Sequence, residues 1–255
     1  MLLEGKHGLI LGIANKRSIA WGIAQAVNRE GARLAVTYQG ERLEENVREL
    51  SASLKDPVIL PCDVSKDEDL KTLAGAVKEA FGHLDFVVHA VAYALREELD
   101  GEFINTTREG YRVAQDISSY SLTALARETV PLMEGRGGSI VTLTYLGGER
   151  VVPHYNVMGV AKAALDASVR YLAWDLGQKN VRVNAVSAGP VRTLAARSIA
   201  GFPTMEAIVE ERAPLHRPID SDDVGAAAAF LLSDEADNIT GTTLYVDSGY
   251  HAMGM

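Results

Sequence analysis

Seven short runs of β-type residues recur along the chain, and each of the first six is followed by a longer helical stretch. No other feature narrows the possible folds as far. The runs are HGLILGI (7–13), RLAVTY (33–38), VILPCDV (58–64), LDFVVHAV (84–91), GSIVTLTY (138–145), VRVNAVSA (181–188) and TTLYVDSG (242–249). Strands joined through a helix lie parallel in one sheet, and the crossover between them is right-handed. Several runs are apolar without alternation, which suits strands covered by helices on both faces. The pattern predicts an α/β fold: a doubly wound, Rossmann-like, mostly parallel seven-stranded sheet forming one domain over residues 1–255. Residues 192–213 break the rhythm. Gly201 and Pro203 interrupt LAARSIAGFPTMEAIVEERAP, and a loosely patterned segment of this kind after a strand predicts a helical lid over a substrate.

Charge and cysteine usage limit the partners. The chain has 34 acids against 25 bases, for a net charge of −9. Such a surface repels phosphate backbones, so nucleic acid is not expected, and there is no basic block to dock on anionic lipid. The most apolar runs, such as GAAAAFLL at 225–232, fall short of the roughly 20 residues of a membrane span. The single cysteine, Cys62, excludes a disulfide within the chain and a four-cysteine metal site, and it fits a reducing, cytoplasmic setting. Cys62 is expected as a buried apolar filler. The start MLLEGKHGLILG reads as the approach to a first strand, not as an export signal. The histidines, His89, His154 and His216 among them, lack metal-ligand spacing, so no metal site is expected. His154 is expected as a loop residue, and Trp21 and Trp174 as packing residues on helices.

The first strand runs into GIANKRSIAWGIAQAV (12–27), where Gly12 and Gly22 stand ten apart and G-x-G-x-x-G is absent. Gly12, without a Cβ, lets the backbone turn sharply and approach a ligand. Ser18 suits the N-cap of a helix starting at Ile19, whose free N–H groups and positive dipole end welcome a pyrophosphate. Gly22 is expected to let that helix lie close to the sheet. After the second strand comes TYQGER, with no acid directly following. Gln39 can hydrogen-bond a ribose 2′-hydroxyl, Glu41 opposes a 2′-phosphate and Arg42 welcomes one. The balance favours NADH over NADPH. Asp63 and Val64 offer a carboxylate for the adenine amino group and an apolar wall, and Asp63 reads equally as a helix N-cap.

The chemistry concentrates in TYLGGERVVPHYNVMGVAKAA (144–164). Tyr155 and Lys162 are seven positions apart, about two helical turns, so they share a helix face. A phenol titrates near pH 10, and a nearby ammonium is expected to lower that value. Beside a nicotinamide, the pair suits hydride chemistry, with a proton from the phenol side. The plainer alternative is two packing tyrosines and a snorkelling lysine. The position after the fifth strand, in a sheet whose first turn looks like a phosphate cradle, favours chemistry.

From end to end the chain resembles the short-chain dehydrogenase/reductase superfamily. That superfamily carries Tyr-x-x-x-Lys with a serine thirteen positions before the tyrosine. Here Met158 stands four before Lys162, Tyr145 stands thirteen before Met158, and the tyrosine has moved to 155. With SIAWGIA, TYQ, YNVMGVAKAAL (155–165) and SAGPVRT (187–193), the chain looks like the bacterial enoyl-acyl-carrier-protein reductases of type II fatty acid synthesis. The resemblance implies that Tyr155 hydrogen-bonds the thioester carbonyl, that Lys162 holds the nicotinamide ribose hydroxyls, and that Tyr145 is a second active-site phenol. It implies cofactor contacts at Gly12, Ser18, Ile19, Gln39, Asp63, Val64, Val91, Lys162 and Val191 to Ala195, that is, Val191, Arg192, Thr193, Leu194 and Ala195, with Thr193 facing the pyrophosphate. Ala94 matches a substrate-contacting position. The family often has Ser-Ile-Gly where this chain has Ala90, Val91 and Ala92; the extra methyl at 92 implies a narrower pocket floor and altered inhibitor sensitivity. The implied partners are an acyl carrier protein and further copies in a homotetramer. The stretch AGFPT (200–204) lacks the basic residues that some relatives use to meet the carrier, leaving Arg197 and Arg212 as the nearest candidates. Two other readings stay open: a ketone or alcohol dehydrogenase, which Met158 argues against, and a cofactor-binding sensor, which would not need the Tyr155–Lys162 pair.

Overall fold

A computed structural model describes residues 1–193 and 202–254, without the side chains of 202 and 203. In chain order the main elements are β1 (His7–Leu11), α1 (Ile19–Arg29), β2 (Arg33–Tyr38), α2 (Glu41–Ser51), β3 (Val58–Pro61), α3 (Asp67–Phe81), β4 (Phe86–His89), α4 (Arg108–Gln115), α5 (Ser121–Thr129), β5 (Gly138–Thr144), α6 (Asn156–Gly177), β6 (Val181–Ala188), α7 (Phe202–Arg212), α8 (Ser221–Leu232) and β7 (Thr243–Val246). A π-helical turn, Asp116–Tyr120, joins α4 to α5. The seven strands form one parallel sheet in the order β3-β2-β1-β4-β5-β6-β7, as the alternating pattern predicts. Connections run outward in opposite directions from β1 and β4, which opens a crevice at their C-terminal ends.

Two apolar layers hold helices on the sheet. Ile10, Leu34, Val36, Val141 and Val186 face the layer with Ile23 of α1 and Val224 and Leu231 of α8. Leu9, Leu11, Ala35, Ile140 and Val183 face the other, with Leu73 of α3, Leu122 of α5 and Leu165 of α6. Neighbouring residues of one strand thus feed opposite layers, the period-two geometry of a pleated strand. Burying each such side chain contributes roughly 1.5–3 kcal/mol. Pro61 has no N–H to donate and stands on β3, an edge strand paired only with β2.

Two expectations about packing are corrected. Gly22 does not serve the sheet: a Cβ there would lie 2.4 Å from the carbonyl oxygen of Ser221, and one on Gly225 would lie 2.7 Å from that of Gly22. The two glycines let α1 and α8 touch backbone to backbone. Trp21 packs, at 5% exposure, but Trp174 is 80% exposed on the outer face of α6 beside Tyr171. Cys62 lies just past β3 and is buried as expected.

Candidate active site

Several strands end earlier than their apolar runs, because the last apolar residues leave the sheet to wall a cavity of about 570 Å³ at the crevice. Ile13, Cys62, Val64, Val91 and Tyr145 all do this. Gly12 makes the first wall possible. Its φ is +105°, and a Cβ there would lie 2.0 Å from the Ala90 carbonyl oxygen, so any side chain would collide with the end of β4.

Ser18 occupies the N-cap position of α1, but its hydroxyl does not cap the helix. It turns back and accepts from the backbone N–H groups of Ala14 and Asn15, both at 3.1 Å. The hydroxyl therefore braces the turn after Gly12, and its own proton stays available to an anion held at the start of α1. The glycine turn, the Ser18 hydroxyl and the helix start fit a pyrophosphate.

Tyr145 follows β5 and Tyr155 occupies the N-cap position of α6, in helical geometry. Their rings meet edge to face, centroids 5.0 Å apart at 78°. Burial, Tyr250 and Asp247 push the Tyr145 phenol up to about 12. Burial pushes Tyr155 higher still, helped by Tyr145 and Asp166. The expected lowering of the phenol by Lys162 is corrected here: burial raises it, and the ammonium is not among the groups that shift it. Both phenols are neutral O–H donors at pH 7. Met158, one turn into α6, is 6% exposed and accepts from the Ser118 hydroxyl at 3.6 Å. A thioether at this place holds no proton to give.

Lys162 is 5% exposed, and its ammonium donates to the Leu143 carbonyl at 2.7 Å. Burial lowers its pKa to about 8, and Asp166, one turn further on, pulls it back up. Behind it lies His89, fully buried between the hydroxyls of Thr142 (2.8 Å to Nδ1) and Ser121 (2.7 Å to Nε2). Burial, then Lys162, lowers its pKa to about 3, so the imidazole is neutral and adds no charge to the site.

The cavity brings together Gly12, Ser18, Ile19, Gln39, Val64 and Val91, with Ala94, Tyr145, Tyr155, Lys162, Val191 and Thr193. Asp63 is not part of its lining. Its carboxylate accepts from the backbone and hydroxyl of Ser65 at 3.0 and 2.7 Å, and Lys66 holds the N-cap position of α3 without a side-chain cap. The Arg192 side chain is 81% exposed and pairs with Glu206 at 2.6 Å. Leu194, Ala195 and Arg197 lie outside the described residues. Among the wall residues that escaped sequence reasoning are Asn15, Thr37, Tyr93, Arg96, Thr144 and Met205. Met205 is the most telling, for its sulfur accepts from the Tyr145 hydroxyl at 3.2 Å, which lays α7 against the cavity. No local signal marks it, since the contact joins segments 60 residues apart.

The arrangement suits donation of hydrogen bonds to an oxygen that gains negative charge next to a bound nucleotide. Comparison with known proteins agrees. A family model described as enoyl-(acyl carrier protein) reductase matches residues 12–251. The NADH enoyl-acyl-carrier-protein reductase of Bacillus subtilis is 55% identical, over 98% of this chain and 97% of its own length. That of Aquifex aeolicus is also 55% identical, over 100% of this chain and 94% of its own. The crystal structure of the Bacillus cereus enoyl-acyl carrier protein reductase, with NADP+ and an indole naphthyridinone, superposes with a TM-score of 0.98 at 53% identity, covering 100% of this chain and 99% of that one. The chain belongs to the enoyl-acyl-carrier-protein reductase family of the short-chain dehydrogenase/reductase fold.

Proposed function

We infer that the protein reduces the C2=C3 double bond of trans-2-enoyl thioesters on acyl carrier protein, using NADH, as the last reductive step of fatty acid elongation. The observation that carries this is the pair of buried, neutral phenols facing one cavity, with Met158 where a ketone reductase needs a proton donor. Reduction at C3 sends negative charge to the thioester oxygen. Tyr155 donates its O–H to that oxygen, and Tyr145 sits edge-on beside it as the second phenol. Fixed donors aimed at developing charge form a large catalytic term.

The dinucleotide fits the cradle of Gly12, Ser18 and Ile19, with Val64 and Val91 as apolar walls and Val191 and Thr193 on the far side. NADH bound there supplies the hydride. Lys162 holds the ribose hydroxyls with the donors that Leu143 does not use. At the β2 end the described lining is Thr37, Gln39 and Leu43, which suits a ribose hydroxyl better than a phosphate and supports NADH over NADPH. The Bacillus subtilis and Aquifex aeolicus relatives carry the same cofactor in their names.

The whole chain acts as one catalytic domain, with the segment around 192–213 as its lid. Arg212, exposed at the end of α7, is a candidate contact for the acidic carrier, and electrostatic complementarity would serve the encounter rate first. The protein works as a homotetramer in the cytoplasm; the exposed aromatic residues of α6 support the first, and among the described residues no helix is long and apolar enough to cross a membrane. The test follows NADH absorbance with crotonyl thioester, a ketone panel and NADPH in parallel. Oxidation of NADH with the enoyl thioester, little with ketones and slower use of NADPH are expected. Turnover of ketones alone would overturn the reading.

A further inference from the structure

At the opposite end of the sheet from the cavity, His7, His83 and Asp85 converge. β1 begins at His7 and β4 at Phe86, so these residues stand where the two central strands enter the sheet. One ligating atom from each lies within 4.8 Å of the others, the one such grouping of histidine, cysteine or acid side chains among the described residues. The far separation of His7 and His83 in sequence is why no spacing motif announces them.

The cluster is held from behind. The His7 ring stacks on Phe81, centroids 4.7 Å apart at 19°. The His7 backbone N–H donates to Asp85 Oδ2 at 2.7 Å, which fixes that carboxylate. His83 Nε2 stands 3.4 Å from the same oxygen, and the two imidazole centroids are 4.7 Å apart. His7 Nδ1 is buried with no hydrogen-bond partner. A buried orphan nitrogen in a well-packed ring calls for an explanation. Burial lowers the His7 pKa, and His83, Arg33 and Arg136 add to this while Asp85 opposes it. The ring is therefore neutral at pH 7 and carries a lone pair, the form that binds metal.

The neighbouring cations do not close the site. Arg33 is engaged, paired with Asp56 at 2.8 Å and lying over the Phe81 ring at 5.0 Å. Arg136 reaches Asp85 only at 3.9 Å, through Oδ1 rather than Oδ2.

We propose that His7, His83 and Asp85 form a binding site for a divalent transition-metal cation, zinc foremost, with water completing the shell. Two imidazoles and a carboxylate make a borderline donor set that suits zinc. Bonds of about 2.0–2.2 Å place tetrahedral ligand atoms roughly 3.5 Å apart. His83 Nε2 and Asp85 Oδ2 already stand at 3.4 Å, so the closure from within 4.8 Å falls on the distances to His7. The His83 side chain sits in a loop and is 28% exposed. The site ties the starts of β1 and β4 together. It lies roughly 16 Å from the cavity, the length of a five-residue strand, so it acts on stability and not on the reaction.

The test is calorimetric titration of zinc chloride into the full-length, tag-free protein at pH 7.5, with melting curves alongside. One zinc per chain and a higher Tm with zinc are expected. His83→Gln should weaken binding by at least about tenfold, since losing a ligand costs no less than losing an outer-shell partner. It should also abolish the Tm gain while leaving the enoyl-thioester rate intact, which shows that the variant folds. His83→Cys, which supplies a thiolate, should restore binding, and Arg136→Ala should tighten it. Binding should fade in acid, because a protonated imidazole has no lone pair to give a metal. No saturable one-to-one binding, or wild-type affinity retained in His83→Gln, would overturn the proposal. Neither result bears on the reductase activity.

Discussion

Tyr155 is 8% exposed and edge-on to Tyr145, so ionising it would strand a phenolate in an apolar wall. A neutral phenol suits an oxygen that gains charge only during reduction. Tyr155→Phe removes that donor and leaves the nucleotide cradle alone. Turnover should fall by about 10²–10³, with NADH affinity measured by fluorescence titration unchanged. Lys162 gives a prediction in pH. Its folded pKa is about 8, against about 10.4 in an unfolded chain. Below pH 8 the folded state carries a buried charge, a penalty of at most about 3 kcal/mol. Between about 8 and 10.4 the unfolded chain binds a proton that the folded one does not, so stability rises with pH there. Lys162→Met should therefore be the more stable protein at pH 7, with the gap closing by about pH 10. Denaturant midpoints of both proteins across that range would check it, and a constant gap would refute the assignment. That Tyr155, Lys162 and Gly12 share one cavity is legible from their places after the fifth and first strands and from the family resemblance; the spacing alone fits packing residues as well. The fate of Ser18 and Asp63 was not, because a hydroxyl or carboxylate finds competing backbone donors that only the folded turn selects.

Element existence was readable from hydrophobic period, and element ends were not. Runs such as LDFVVHAV stay apolar past the strand because the same side chains that fill a sheet also wall a cavity, and apolarity alone does not separate the two. The contact of α1 with α8 shows a second limit. Gly22 signals a close approach, but its partner Gly225 lies on a helix near the other end of the chain, and nothing local to either names the other. The pair makes a sharp test. Gly22→Val would drive its side chain into the backbone of Ser221, 2.4 Å from a Cβ at that site. Backbone gives way less easily than a side chain, so a loss on the order of 2–3 kcal/mol is expected, at the upper end for overpacking. Urea midpoints report it. A Tm within a degree of wild type would mean that the helices part without cost.

Tyr171 and Trp174, three apart on α6, share one outer face and are 75% and 80% exposed. Neighbouring exposed aromatics of this size mark a contact surface more often than a wetted one. Charge does not bring copies together, because each chain carries −9. At physiological salt, repulsion between such chains is screened beyond about 8 Å, so apolar contact decides whether they associate. α6 is also the helix that carries Lys162 and starts after Tyr155, so a neighbour on its outer face would bear on the helix whose inner face lines the cavity. Burying Trp174 in such a contact would hold the helix against the sheet and keep the inner face in place. Trp174→Glu should then shift the protein from tetramer to smaller species in sedimentation velocity, with far-ultraviolet circular dichroism unchanged. Turnover per chain should drop in step with dissociation and recover at high protein concentration. A tetramer that survives both Trp174→Glu and Tyr171→Glu would place the subunit contact on another face. The aromatic pair would then need a different partner.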